Sequence, residues 1–136
     1  MTLNDRSPEY WWMIASHDID AIEDLMRGKK RHPDIVIYHI HQAIEKLLKA
    51  TLLVAKGDVH FSHDLERLHS LLVAKQPIYS DIEDDIILLH AYYPRLRYPK
   101  SDFIDEGDLD KGFSIYKKLL KILSKEAVLK RHRGDL

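Results

Sequence analysis

Cysteine is absent from the 136-residue chain, which excludes disulfides, thiolate metal sites and thiol catalysis. An excess of charge is also absent, because 21 Lys and Arg residues oppose 22 Asp and Glu residues. No overall basic field therefore draws the chain to nucleic acid or to an anionic membrane. No apolar run approaches the ~18 residues of a membrane span, and the N-terminal residues lack the features of a secretion signal. We expect a cytoplasmic protein with no membrane partner.

Helical periodicity runs through the chain, and no strand-like alternation competes with it. Start and stop signals predict helices over residues 8–27, 33–56, 62–76 and 80–93, and a last helix from about residue 108. The length fits a single domain over residues 1–136. The predicted fold is all-α, an up-and-down bundle of four long helices plus one short helix. We predict that the tail at residues 130–133 is frayed.

The second helix is predicted to be central, because its apolar side is wide. Its polar side carries Tyr38, His41, Gln42, Glu45, Lys46 and Lys49. One interpretation is a solvated helix face, since Glu45 and Lys49 are four residues apart in the favourable order for an ion pair. The other is a functional face, on which two lysines meet phosphate oxygens as point charges. The helix alone leaves both interpretations open.

Asp18 interrupts the apolar arc of the first helix. An ionised carboxylate is costly to bury unpaired, so this position predicts a partner. The pair can be purely structural, or Asp18 can orient a lysine or histidine in a cleft between the first two helices. Lys46 and His63 are the candidate partners. We predict no metal site, because the nine histidines include no H-E-x-x-H or similarly spaced set.

Four strings occur in order over most of the chain: Trp12 to Ile19 in the first helix, HQAIEKLLKATL in the second, His63-Asp64-Leu65 after it, and R-Y-P at residues 97–99. Together they resemble the HEPN domain family (higher eukaryote and prokaryote nucleotide-binding domain). HQAIEKLLKATL at residues 41–52 is similar to its second-helix signature, (H/Q)QA-x-EK-x-LKA. His63-Asp64-Leu65 resembles its T-H-D-L turn, and R-Y-P at residues 97–99 resembles its later R-Y-P. Trp12, Ala15, Asp18 and Ile19 fit the W…A-x-x-D-L of its first helix. The resemblance implies a helical nucleotide-binding or partner domain.

The resemblance also selects site residues. Charged residues at the second-helix positions help to define the family, which favours the functional interpretation of that face. His63 stands at a predicted helix start, which is an anion-binding position, and Arg97 offers a planar group that recognises phosphate. We therefore predict a weak nucleotide or anion site, with Asp18 holding one of the cations. Its residues are Lys46, Lys49, His63, Arg97, Asp18 and Gln42.

One motif of the family is missing. Many HEPN domains are ribonucleases that use an arginine and a histidine about four to six residues later, with histidine as acid or base and arginine on the phosphate. After Arg95 and Arg97 this chain has no histidine until His132. We therefore predict no catalytic residue and do not favour RNA as a partner. Whether the chain is an enzyme stays open.

The resemblance implies frequent pairing with a separately encoded minimal nucleotidyltransferase, sometimes as a toxin–antitoxin set, and it implies homodimers. Trp11, Trp12, Tyr92 and Tyr93 add aromatic surface of the kind enriched at interfaces. The preferred function is a nucleotide-binding or partner module with no cofactor other than a possible nucleotide ligand. The alternatives are a metal-independent ribonuclease toxin of the same fold and a purely structural dimeric adaptor.

Overall fold

The structure is a computed structural model that describes residues 5–58, 62–93 and 104–134. Within these ranges every regular element is helical, which confirms the all-α prediction. The elements are α1 (Pro8–Arg27), α2 (Pro33–Val54), α3 (Leu65–Lys75), a 3₁₀ helix (Pro77–Ile82), α4 (Glu83–His90), α5 (Glu106–Leu123) and α6 (Lys125–Arg133). Arg97, which was predicted to belong to the anion site, lies with the rest of the R-Y-P string outside the described residues.

Helix α2 occupies the centre, as its wide apolar side predicted. It packs against α1, α3, α5 and α6. Its fully buried side chains form the middle of the core and include Val36, Ile37, Ile40, Ala43, Ile44 and Leu48. Proline starts both α1 and α2 in the first turn, where its missing N–H costs no hydrogen bond. The long contact between α1 and α2 is what brings the Asp18 region against the polar side of α2.

The segments on either side of α3 differ from the sequence prediction. Asp64 is the N-cap, and its carboxylate accepts the Arg67 N–H at 3.1 Å, so residues 62–64 lie outside the helix. The predicted fourth long helix is instead a 3₁₀ helix followed by the eight-residue α4. Tyr79 and Ile82 are both buried, and their spacing of three matches the three-residue turn of a 3₁₀ helix.

The last helix also differs, because Ser124 divides it. Ser124 has extended backbone angles (φ −63°, ψ 153°) and caps α6 by accepting the Ala127 N–H at 3.3 Å. The tail predicted to fray is helical to Arg133. Val128 of this helix is buried, and the Arg131 guanidinium donates a hydrogen bond to the Ile122 carbonyl at 2.6 Å. Among the described residues three helices are long, α1, α2 and α5, whereas the sequence predicted four.

None of the helices in the described ranges is both long and apolar enough to span a bilayer.

Candidate functional site

The Asp18 carboxylate joins α1 to α2. Its side chain is only 9% exposed, and it accepts hydrogen bonds from Lys46 Nζ at 2.5 Å and from His39 Nδ1 at 2.9 Å. Lys46 is one of the two partners that the sequence suggested. The histidine partner is His39 rather than His63, because the crossing of α1 over α2 places Asp18 between residues 39 and 46 of α2. The two donors sit at the edge of the site, with the His39 side chain 27% exposed and the Lys46 side chain 21% exposed.

A second carboxylate, that of Glu45, joins α2 to the segment before α3. It accepts a hydrogen bond from Lys49 Nζ at 3.0 Å and lies 3.1 Å from His63 Nδ1. Glu45 and Lys49 have side chains 3% and 4% exposed, and the Lys49 ammonium lies 4.8 Å from the centre of the Trp11 ring. The solvated-face interpretation is therefore wrong for this pair. Because Glu45 and Lys49 neutralise each other's charge, this part of the predicted polar side of α2 can be buried in the protein interior.

The two centres share one arrangement, in which a buried carboxylate holds one lysine and the Nδ1 atom of one histidine. A proton on Nδ1 that faces a carboxylate leaves Nε2 as the second functional atom of the ring. Both histidines, His39 and His63, therefore have an orientation set by a buried acid. Once protonated, such a ring offers an N–H from Nε2 to an anion.

The predicted site residues fall into two groups around these carboxylates. Lys46 is with Asp18, and Lys49 and His63 are with Glu45. Gln42 is partly buried on α2 and lies one helical turn from both Lys46 and His39. The cations are thus matched by acids, so the site has less excess positive charge than a bare lysine cluster.

A layer of rings lies beside the Glu45 centre. His41 was predicted on the polar side of α2, yet it is fully buried, with its Nε2 3.2 Å from His90 Nδ1 and its ring stacked on Tyr93 at 4.8 Å. Burial, with the charges of His90 and His63, lowers the pKa of His41 from 6.5 to about 3. The His41 ring is therefore neutral near pH 7. No pattern in the sequence predicts this contact, because His90 is 49 residues further along the chain.

The aromatic residues that suggested a dimer are packed largely within the chain. Trp11 is 8% exposed, and its indole N–H donates to the Asp5 carbonyl at 2.8 Å. Trp12, Tyr92 and Tyr93 are half-buried. These residues therefore supply less interface than the sequence suggested, and the homodimer stays a prediction.

The fold and the site together define a class of protein: a small all-α domain whose central helix carries two lysines and one histidine that hydrogen-bond buried acids. The family model of the HEPN domain matches residues 8–127, and the chain belongs to the HEPN domain family. The family indicates a nucleotide-binding or ribonuclease-type module. Searches of curated proteins and of solved structures gave no match.

Proposed function

We propose that the chain is a nucleotide-binding or partner module that works as a homodimer with a separately encoded minimal nucleotidyltransferase, in some settings as a toxin–antitoxin pair. The observation that carries the nucleotide part is the anchoring of Lys46 and His39 on Asp18, and of His63 on Glu45. These three groups are held in place by buried acids while remaining at least partly exposed. Groups fixed before binding cost less entropy when a ligand arrives.

Phosphate oxygens match the chemistry of these groups. The Lys46 ammonium has three N–H donors, of which Asp18 takes one. The Nε2 atoms of His39 and His63 add donors when the rings are protonated. Lys49 is too deeply buried to meet a ligand and acts instead by holding Glu45 in place. Because the acids offset much of the positive charge, we expect weak binding that fades with salt.

Exposed apolar residues support the partner part of the proposal. Ile87 and Leu88 on α4 are 43% and 56% exposed, and Ile78 on the preceding 3₁₀ helix is 52% exposed. The 3₁₀ helix and α4 contact each other, and exposed apolar side chains on contacting elements are of the kind that another protein can cover. A second copy of the chain and the nucleotidyltransferase are the partners that the proposal assigns to such surfaces.

Calorimetric titration with a nucleoside triphosphate tests the nucleotide part. We expect the wild-type protein to bind at low salt and to lose affinity as salt rises. Lys46→Gln should raise the dissociation constant about tenfold, because a charge-assisted contact of about 1.5 kcal/mol is lost. Glutamine keeps an N–H that can reach Asp18, so the fold should persist. The matched control is Lys121→Gln, since Lys121 is exposed on α5 and is not among the groups that hydrogen-bond either carboxylate in the structure.

Two results would refute this part: a wild-type protein that binds no nucleotide at low salt, or equal affinities for the wild type, Lys46→Gln and His63→Gln. Circular dichroism of each variant shows whether its helices are intact, so that lost binding is not confused with lost structure.

An RNA-cleavage assay separates the proposal from the ribonuclease alternative. We expect the purified protein to leave RNA intact in the presence of a chelator, because the arginine–histidine spacing of ribonuclease HEPN domains is missing after Arg95 and Arg97. Cleavage that survives the chelator and disappears in His63→Ala would favour the ribonuclease instead. The His17→Ala variant is the control, since His17 is exposed on α1 next to Asp18 and is not among the groups that hydrogen-bond either carboxylate in the structure.

A further inference from the structure

Three potential metal ligands meet where α3 begins and α4 ends. One atom each from Asp64, Glu66 and His90 lies within 4.8 Å of the other two. Asp64 and Glu66 belong to the start of α3, and His90 is the last residue of α4. This cluster is distinct from the centres formed around the Asp18 and Glu45 carboxylates.

The separation of His90 Nε2 from Asp64 Oδ1 is 3.4 Å. This is longer than an ordinary N–H···O hydrogen bond, which spans about 2.7 to 3.2 Å. It does match two ligands of one ion, because atoms about 2.1 Å from a tetrahedral zinc ion lie about 3.4 Å apart. Glu66 is exposed in the first turn of α3, so its side chain can rotate to bring its carboxylate to the same distance.

The orientation of His90 is fixed from its other side. Its Nδ1 accepts the Leu65 backbone N–H at 3.4 Å and lies 3.2 Å from Nε2 of the fully buried His41. The Tyr93 ring stacks on His90 at 5.6 Å, with 13° between the planes. Metal binding through Nε2 requires the ring proton on Nδ1, where the neutral His41 Nε2 at 3.2 Å is the acceptor. These contacts are independent of the acids, and they direct Nε2 toward them.

We propose that Asp64, Glu66 and His90 bind one divalent cation of the zinc class, in contrast to the absence of a metal site that the histidine spacing predicted. One imidazole nitrogen and two carboxylate oxygens suit zinc and neighbouring transition metals, whereas calcium and magnesium prefer oxygen ligands alone. The two carboxylates balance the charge of the ion. Three protein ligands leave a fourth tetrahedral position for water or an anion.

The bound ion would tie the start of α3 to the end of α4. His63 precedes Asp64 directly, so the same tie fixes the backbone that presents His63 to Glu45. The inference does not depend on nucleotide binding, because none of the three ligands is among the groups assigned to phosphate.

Titration of the full chain with Co²⁺ tests the proposal, since Co²⁺ in a tetrahedral protein site absorbs visible light and reports its ligands. We expect one Co²⁺ per chain and full displacement by Zn²⁺. Glu66→Gln should raise the Co²⁺ dissociation constant at least about tenfold, as should Asp64→Asn. Both variants should fold, because Glu66 is exposed and asparagine can cap α3 as aspartate does.

The matched control is Glu126→Gln, an exposed acid in the first turn of α6 that should leave Co²⁺ binding unchanged. The proposal is overturned if the wild type takes up no stoichiometric Co²⁺, or if Glu66→Gln and Asp64→Asn bind as the wild type does. Binding that is lost only in His132→Gln would mean adventitious capture by the C-terminal tail and would also overturn it.

Discussion

Replacing Lys49 with methionine is expected to lower the free energy of unfolding by about 3 to 5 kcal/mol. The ammonium is the buried counter-charge of Glu45, and both side chains are less than 5% exposed. Methionine fills a similar volume but leaves the carboxylate with His63 alone. The contact with the Trp11 ring at 4.8 Å is lost as well. Urea unfolding followed by circular dichroism measures the loss.

A paired replacement shows whether the charge is the cause. The double variant Glu45→Leu, Lys49→Met removes both charges, and a buried ion pair replaced by apolar groups of similar volume often costs nothing. We therefore expect the double variant to recover most of the stability that Lys49→Met loses. It also removes the acid that holds His63, so nucleotide affinity should fall while the helices persist. A Lys49→Met protein as stable as the wild type would contradict the buried-pair account.

Replacing Lys46 with methionine is expected to cost about 3 kcal/mol, less than the Lys49 change, because Lys46 and Asp18 are 21% and 9% exposed, whereas Lys49 and Glu45 are 4% and 3% exposed. Asp18→Asn should cost less again, about 1 to 2 kcal/mol, since it leaves Lys46 and His39 near water instead of leaving an acid buried. The order of the two variants in urea unfolding is the test. The asymmetry arises because Asp18 is the buried member of the group, with a side chain 9% exposed.

Lys118→Met is the comparison for Lys46→Met. Lys118 pairs with Asp85 at 2.7 Å, but its side chain is 59% exposed, so losing it should change stability little. If Lys118→Met and Lys46→Met lower the free energy of unfolding equally, the Asp18 centre contributes no more to stability than an exposed ion pair does. If Asp18→Asn is the more damaging change, the carboxylate is needed for something other than balancing Lys46.

The sequence identified Asp18 and α2 for physical reasons that the structure retains. A lone acid in an apolar arc has to find a partner, and Lys46 is that partner. The choice between His39 and His63 could not be made from sequence, because it depends on how far α1 is displaced along α2. The buried Glu45–Lys49 pair was missed for another reason. Hydropathy treats each charge as a preference for water, whereas two paired charges can pack inside.

Local signals explain the other differences. Ser124 is a good N-cap residue in the middle of a helical pattern, and its presence could have predicted the division between α5 and α6. The cluster of Asp64, Glu66 and His90 had no such signal. Its acids are two residues apart and its histidine follows 24 residues after Glu66, so only the packing of α3 against α4 brings them together.

Histidine side-chain NMR during a nucleoside triphosphate titration tests the central claim most directly. The claim is that groups held by Asp18 and Glu45 meet the phosphate. Nitrogen-15 spectra of the imidazoles, assigned with single His→Gln variants, report each ring separately. We predict saturable shifts of Nε2 in His39 and His63, reduced in Lys46→Gln, with exposed His17 unchanged. Shifts confined to His132 in the basic tail, or no shift at His39 and His63 while nucleotide binds, would contradict the account.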